Sequence, residues 1–210
     1  MRLEGIDLVV SYSKRPVLQG LCFFMEEGER VGLVGPSGCG KSTLAKVLSG
    51  MLCPQAGEVR LDEKPLPKKG YRPVQLIFQH PEQAVDPKWR MEQTLNEGYF
   101  PDQDVQNALG IEKEWFTRYP RELSGGELQR FCIARALGPK TRFLLCDEIS
   151  TMLDPITQAQ LWEFLLHCSE KRGMGLLVIT HNRALAERIC TRIVEFEDLN
   201  GKGEEPDAKK

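Results

Sequence analysis

The sequence predicts an α/β fold: a parallel sheet covered by helices, with an antiparallel β subdomain and an inserted α-helical subdomain. Three observations predict it. In the last third of the chain short apolar strand runs alternate with helical runs, and such alternation implies parallel strands joined by helical crossovers. A glycine-rich loop, "GPSGCGKS", joins a buried strand run to a helical run. Residues 86–140 show helical spacing with few strand signals, and strand-forming stretches flank them on both sides.

Residues 3–10 and 17–25 alternate apolar and polar side chains as strands do, around a turn in "SYSKRP". "RVGLVG", 30–35, is a short buried strand ending in Gly. From Lys41, "KSTLAKVLSGM" has apolar residues at helical spacing and Gly50 as a stop. "GEVRLDEKPL" (57–66) and "VQLIFQ" (74–79) are two further strand candidates, and the Pro-, Lys- and Gly-rich residues 54–73 read as loops and hairpin turns. The helical subdomain is carried by "WRMEQTLNEGYF", "DQDVQNALG" and "GELQRFCIARALG". After it come the strand "RFLLCD", a helix over 155–172, the strand "GLLVIT", a helix over 182–190 and a last strand, "RIVEF". Residues 1–198 read as one domain, and the polar tail 199–210 as disordered.

With 28 Lys+Arg against 30 Asp+Glu the net charge is −2, so nothing marks a nucleic-acid partner, which would call for a basic excess or stripe. No apolar run approaches the ~18 residues needed to span a bilayer. The start, "MRLEGIDLVVSYS", lacks the apolar block of a signal peptide. The chain is therefore expected in the cytosol, free to dock on a membrane protein. The seven cysteines include no CxxC and no metal-ligand spacing, so they read as small core residues in a reducing compartment.

"GPSGCGKS", Gly35 to Ser42, fits the phosphate-binding pattern G-x-x-x-x-G-K-[ST] and has the strand-before, helix-after context that this chemistry needs. Glycines let successive amides converge on phosphate oxygens, Lys41 adds a positive charge, and the Ser42 hydroxyl can ligate Mg²⁺. The candidate nucleotide-binding residues here are Gly35, Pro36, Ser37, Gly38, Cys39, Gly40, Lys41, Ser42 and Thr43, which makes the core that of a P-loop NTPase. Such a loop needs a metal-binding acid at the end of a neighbouring strand. "FLLCDE" supplies Asp147, and Glu148 beside it is placed to polarise an attacking water. These features leave kinases, GTPases and ATPases open.

"ELSGGELQR", 122–130, contains a second anion site. Ser124 stands at an N-cap, Glu127 completes a capping box three residues later, and Gly125 and Gly126 bare the amides of a helix N-terminus. "LSGGELQRFCIARAL" resembles the signature motif of ATP-binding-cassette (ABC) ATPases. That resemblance covers Leu3 to about Phe196 and implies the ABC ATPase fold, ATP and Mg²⁺ as cofactors, and two domains packed head to tail. Ser124, Gly125 and Gly126 would then meet the γ-phosphate held by the partner's P-loop. By the same resemblance Tyr12 matches the residue that stacks on adenine, Gln79 in "LIFQHP" the one that reaches Mg²⁺ and the water, Asp154 in "TMLD" a dimer-interface residue, and His181 after "LLVIT" a residue contacting the γ-phosphate. The expected catalytic set is Glu148, His181, Lys41 and Gln79, and the expected metal set Ser42, Gln79 and Asp147.

The chain departs from the family pattern at Ile149 (often Pro), Met152 (usually small), Asn182 (commonly Asp) and Glu127 (commonly Gln), none of which removes a catalytic group. "IFQHPEQAVDPKWRMEQTLNE" and "RYPRELSGGELQR" look most like subunits of the dipeptide, oligopeptide and nickel importers. That likeness implies an ATPase subunit lying peripherally on the cytoplasmic face of the cell membrane. Its partners would be polytopic membrane subunits and a second ATPase chain, the same or paralogous. The alternative is a soluble cassette ATPase without a transport role. Trp89, Phe100 and Trp115 are candidates either for a membrane-subunit contact or for the helical subdomain's own core.

Overall fold

A computed structural model describes residues 1–13, 15–67, 69–151 and 153–199. The two alternating runs become β1 (Arg2–Tyr12) and β2 (Arg15–Glu26), which pair antiparallel from Arg2↔Glu26 to Tyr12↔Arg15. They outrun the expected limits because the ladder keeps pairing up to the turn, past the last buried side chains.

Next come β3 (Arg30–Val34) and α1 (Lys41–Leu48). The single strand expected at 57–66 is instead a hairpin, β4 (Ala56–Leu61) and β5 (Lys64–Pro65). Its two turn residues, Asp62 and Glu63, have φ of 48° and 61°. Two successive positive φ values reverse the chain with the twist that paired strands need.

After β6 (Val74–Ile77), the described residues as far as 142 contain only helices and loops. These are a 3₁₀ turn at Pro81–Ala84, α2 (Met91–Asn96), α3 (Gln103–Ala108), further 3₁₀ turns at Lys113–Thr117 and Pro120–Glu122, and α4 (Gly125–Ala136). The alternation then resumes with β7 (Phe143–Asp147), α5 (Pro155–Arg172), β8 (Gly175–Ile179), α6 (Arg183–Ile189), β9 (Arg192–Glu195) and α7 (Phe196–Leu199). The expected strand "RIVEF" stops one residue early because Phe196 opens α7, where its ring is buried. Leu199 packs on the core and so does not begin the tail; the rest of the expected tail, 200–210, lies outside the described residues.

The strands form a four-stranded antiparallel sheet, β2-β1-β4-β5, and a five-stranded parallel sheet, β6-β7-β8-β3-β9. β3 comes first in the parallel sheet's sequence but sits inside it, between β8 and β9. The loop after β3 therefore leaves from the interior of the sheet's carboxyl edge, where open α/β sheets place ligands. Leu33 and Asp147 both pair with Ile179, so β3, β7 and β8 end at one level.

Alternate residues of β7 serve two cores. Phe143 and Leu145 join Leu33, Leu44, Leu48 and the antiparallel sheet's Leu18 and Leu21. Leu144 and Cys146 face the other way, toward Phe131, Ile133 and Leu165 of the helices. Trp115 belongs to this second core, its ring 6.4 Å from that of Phe131, whereas Trp89 and Phe100 are exposed. Cys132, Cys146 and Cys168 are buried, and all seven cysteines are free.

Phe131 is fully buried where α4 meets the aromatic rings of Trp115 and Phe116. Phe131→Ala is expected to lower unfolding stability by about 3–5 kcal/mol through the cavity it leaves, measured by urea denaturation.

Candidate active site

The loop Gly35–Gly40 leaves β3 and opens α1, whose N-terminus has no side-chain cap and no acid in its first turn. Its amides are thus left to a ligand or to water, and the helix dipole favours an anion there. Gly40 is the tightest point of the loop. Its φ is 122°, and a Cβ there would lie 2.8 Å from Val17 and 2.9 Å from the Phe196 ring. β2 and α7 therefore clamp the loop from outside.

Lys41 is 5 % exposed. Its Nζ donates to the carbonyls of Gly35 and Pro36, both at 2.7 Å, and lies 3.7 Å from Cys39 Sγ. The ammonium is thus desolvated and held in the mouth of its own loop, ready to exchange carbonyl partners for phosphate oxygens.

Asp147 ends β7 and is buried, yet its Oδ1 has no partner among the described residues. Burial raises its carboxyl above the ordinary range; the Ser42 hydroxyl beside it opposes that shift, Glu148 reinforces it, and Lys46 and Lys41 oppose it. An unpartnered buried carboxylate oxygen next to a serine hydroxyl is a hard oxygen donor pair, and it fits Mg²⁺.

Glu148 adopts φ 47°, unusual for a residue with a side chain. Its N–H donates to the Ile179 carbonyl at 3.0 Å, and Thr151 Oγ1 donates to the Glu148 carbonyl at 3.0 Å. These bonds hold the kink that turns its carboxylate toward two other elements. Gln79 Nε2, just past β6, donates to Oε2 at 3.1 Å, and His181 Nδ1, just past β8, lies 3.3 Å from Oε1. Three of the four expected catalytic residues thus meet in one cluster. A cavity of about 280 Å³ opens beside it, lined by Glu148, Thr151, Gln158, Thr180, His181 and Asn182. Asn182 caps α6, its Oδ1 accepting from Leu185 N at 3.1 Å, which accounts for an amide serving where the family commonly has Asp.

The second anion site lies elsewhere. Ser124 Oγ accepts from Glu127 N at 3.3 Å, and Glu127 Oε2 accepts from Ser124 N at 2.6 Å, so the expected capping box is formed. That backbone N–H, with the Ser124 hydroxyl, holds the Glu127 carboxyl below its ordinary range. Ser124, Gly125 and Gly126 line a cleft of about 380 Å³ with Asp154 and Thr157, and none of residues 35–43 lines it. Asp154 caps α5, accepting from Ile156 N and Thr157 N, both at 3.1 Å. Met152, flagged by its size, lies outside the described residues. Tyr12 stands 48 % exposed at the end of β1 and lines neither cavity.

Several supporting residues escaped the sequence reading. Val17 and Phe196 clamp Gly40, and no local signal places either beside the loop. Gln129 of α4 donates to the carbonyl of Phe78, next to Gln79, and Arg135 to that of Ala84. Gln129 did carry a signal, as a polar residue in an otherwise apolar stripe.

A P-loop, an acid pair and a signature helix on this sheet topology define an ATP-binding cassette. The family described as "ABC transporter" matches residues 18–151, and the chain belongs to that family, whose domains bind ATP; it is an ATPase. Among curated relatives it is similar to the nickel import system ATP-binding protein NikE of Staphylococcus aureus. Identity is 35% over 211 residues for the protein of strain bovine RF122 / ET3-1, covering 93% of this chain and 87% of the relative. A solved structure of an ATP-binding subunit of an ABC transporter matches at 26% identity and TM-score 0.75, over 93% of this chain and 85% of that one. The dimeric, ADP- and phosphate-bound cassette MJ0796 has the same fold, with TM-score 0.77 at 24% identity over 92% of this chain and 93% of that one. No helix among the described residues is long and apolar enough to cross a membrane.

Because burial raises the Asp147 carboxyl, its protonated form favours the fold at low pH, and that contribution is lost as pH rises through the folded-state pKa. Above that pKa the charged form, desolvated and with Oδ1 unpartnered among the described residues, opposes folding despite the Ser42 hydroxyl beside it. Asp147→Asn is therefore expected to raise the melting temperature of the nucleotide-free protein at pH 7 by a few degrees, with a smaller gain below the carboxylate range; calorimetry at the two pH values checks it.

Proposed function

We propose that this chain is the ATP-hydrolysing subunit of an import complex for peptides or nickel. The observation that carries the reading is the convergence of Gln79 and His181 on Glu148 beside a P-loop, while Ser124–Gly126 opens into a separate cleft. One chain then holds a nucleotide and presents a second anion site with nothing of its own loop to fill it. A head-to-tail pair of ATPase chains would complete both. The names of the curated relatives and the run 77–97 support import, and nickel or peptides as cargo.

In this reading the amides of Gly35–Ser42 and the Lys41 ammonium bind the β- and γ-phosphates, Thr43 extends that contact, and the Tyr12 ring stacks on adenine. Ser42, Asp147 and Gln79 would hold Mg²⁺, which when bound neutralises charge on the phosphate oxygens. Glu148 orients the attacking water and accepts a hydrogen bond from it, which requires its contacts with Gln79 and His181 to loosen. His181, freed from Glu148, turns to the γ-phosphate, where its N–H stabilises the charge being transferred. Lys41 holds the same charge from the loop side. Ser124 and the amides of Gly125 and Gly126 close on the partner's nucleotide, with Asp154 beside them at the interface.

Residues 1–198 act as one ATPase domain, peripheral on the cytoplasmic face of the membrane. The polytopic membrane subunits dock between the core and the helical subdomain, 86–140, on Gln79 and residues 80–100, with Trp89 and Phe100 as exposed apolar contacts. No nucleic acid takes part.

Glu148→Gln is expected to cut ATP hydrolysis at least about 100-fold while ATP still binds, and to accumulate an ATP-bound dimer in gel filtration; hydrolysis at the wild-type rate would overturn the assignment. Affinity capture of the tagged chain from detergent-solubilised native membranes is expected to recover polytopic membrane proteins together with an ATPase chain. Recovery of soluble proteins alone would favour a cassette without a transport role.

A further inference from the structure

Ser150 lies two residues after Glu148 and is buried, and its hydroxyl is held by two side chains of α5. Gln158 Nε2 donates to Ser150 Oγ at 2.8 Å and Trp162 Nε1 at 3.2 Å. Gln158 and Trp162 stand four residues apart on one face of the helix, so a single turn of α5 presents both donors to one oxygen. Both lone pairs of that oxygen are then taken, which fixes the hydroxyl in direction as well as in place. Trp162 is itself buried, in the core that holds Leu144 and Cys146 of β7. Its ring thus ties Ser150 to the body of the sheet.

What the tie secures is the chain around Glu148, whose φ of 47° is unusual for a residue with a side chain. On the sheet side one bond holds it, from Glu148 N–H to the Ile179 carbonyl at 3.0 Å. On the other side the chain turns at once: Thr151 N donates to the Glu148 carbonyl at 3.3 Å, and Leu153 N to the Ser150 carbonyl at 3.2 Å. A proline at residue 149 would fix φ within this stretch, but the residue is Ile149. The backbone has no such lock, and Ser150 is where bonds from α5 restrain it instead. Ser150, Gln158 and Trp162 also line the cavity that Glu148 and His181 face.

We infer that Gln158 and Trp162, acting through Ser150 Oγ, form a clamp that holds the Glu148 carboxylate in its working orientation, with Ser150 and Trp162 as positioning residues for hydrolysis. The inference rests on the role given to Glu148 above and deepens it: α5, which contributes no group to the phosphates, sets the aim of the carboxylate that orients the water.

The test compares Ser150→Ala, Trp162→Phe and the double variant in the full chain. The clamp predicts a turnover number lowered about tenfold in each. The double variant should be no slower than Ser150→Ala, because both changes break one linkage. The Michaelis constant for ATP should stay within about twofold of wild type, since the P-loop is untouched. Ser150→Ala leaves the Trp162 N–H buried without an acceptor, so its melting temperature should be the lowest of the three; the double variant removes that orphan donor and should regain part of the loss. Turnover that recovers together with the melting temperature in the double variant overturns the clamp, because Ser150 would then serve stability alone. Wild-type turnover in either single variant overturns it as well. Ser150→Thr, which keeps the accepting oxygen, is expected to retain turnover, and a rate as low as that of Ser150→Ala would count against the clamp. Glu148→Gln, run in parallel, separates the failures. If it is inactive while Ser150→Ala is fully active, the clamp alone falls; if it is fully active, the reading of the site falls.

Discussion

The register of the parallel sheet is the constraint on which the site depends. β8 lies between β7 and β3, and Ile179 pairs with both Leu33 and Asp147. That shared level brings the start of the P-loop, the acid pair and the residues after β8 to one edge. A slip of one residue in either pairing would turn every side chain on that strand to the opposite face. Leu145 and Leu144 would exchange cores, and both are fully buried, so the hydrophobic pattern of β7 pins the position of Asp147.

From that edge the chemistry follows by proximity. Lys41 and Asp147 are buried ionisable groups that each have a reason to accept a ligand. The lysine rests on two carbonyls of its own loop, and the carboxylate has an oxygen with no partner among the described residues. Both are desolvated before any nucleotide binds, so part of the cost of organising the site is already built into the fold. The antiparallel sheet and α7 contribute by clamping Gly40 through Val17 and Phe196, which couples the loop's shape to elements at opposite ends of the chain.

The helices between β6 and β7 lie between the edge that carries Gln79 and the separate cleft at Ser124. Their core, around Phe131 and Trp115, is continuous with the face of the sheet that carries Leu144 and Cys146. The segment 78–84 links β6 to these helices, and α4 holds it by side-chain donors to backbone carbonyls. Such bonds fix position without using the segment's side chains, which leaves Gln79 free to reach Glu148.

Much of the fold was legible in the sequence, because the decisive signals are local. The alternation of apolar runs gave the strand and helix order, a Gly-Lys-Ser after a strand marked the phosphate loop, and Ser124 with Glu127 announced a helix start that the structure forms as a capping box. Hairpin turns were expected within 54–73, but none was placed at Asp62-Glu63, since neither residue advertises a positive φ as glycine would. The contact of Gln79 and His181 with Glu148 was reached only through resemblance to a family, because no spacing along the chain places residues 69 and 33 positions apart beside one carboxylate. The sequence by itself determined which segments become strands and helices and which side chains can do phosphate chemistry, since those depend on neighbours within a few residues. Only the tertiary structure decided which of those side chains meet, and that the signature helix is tied to the segment beside Gln79, because both depend on the order and register of strands far apart in the chain.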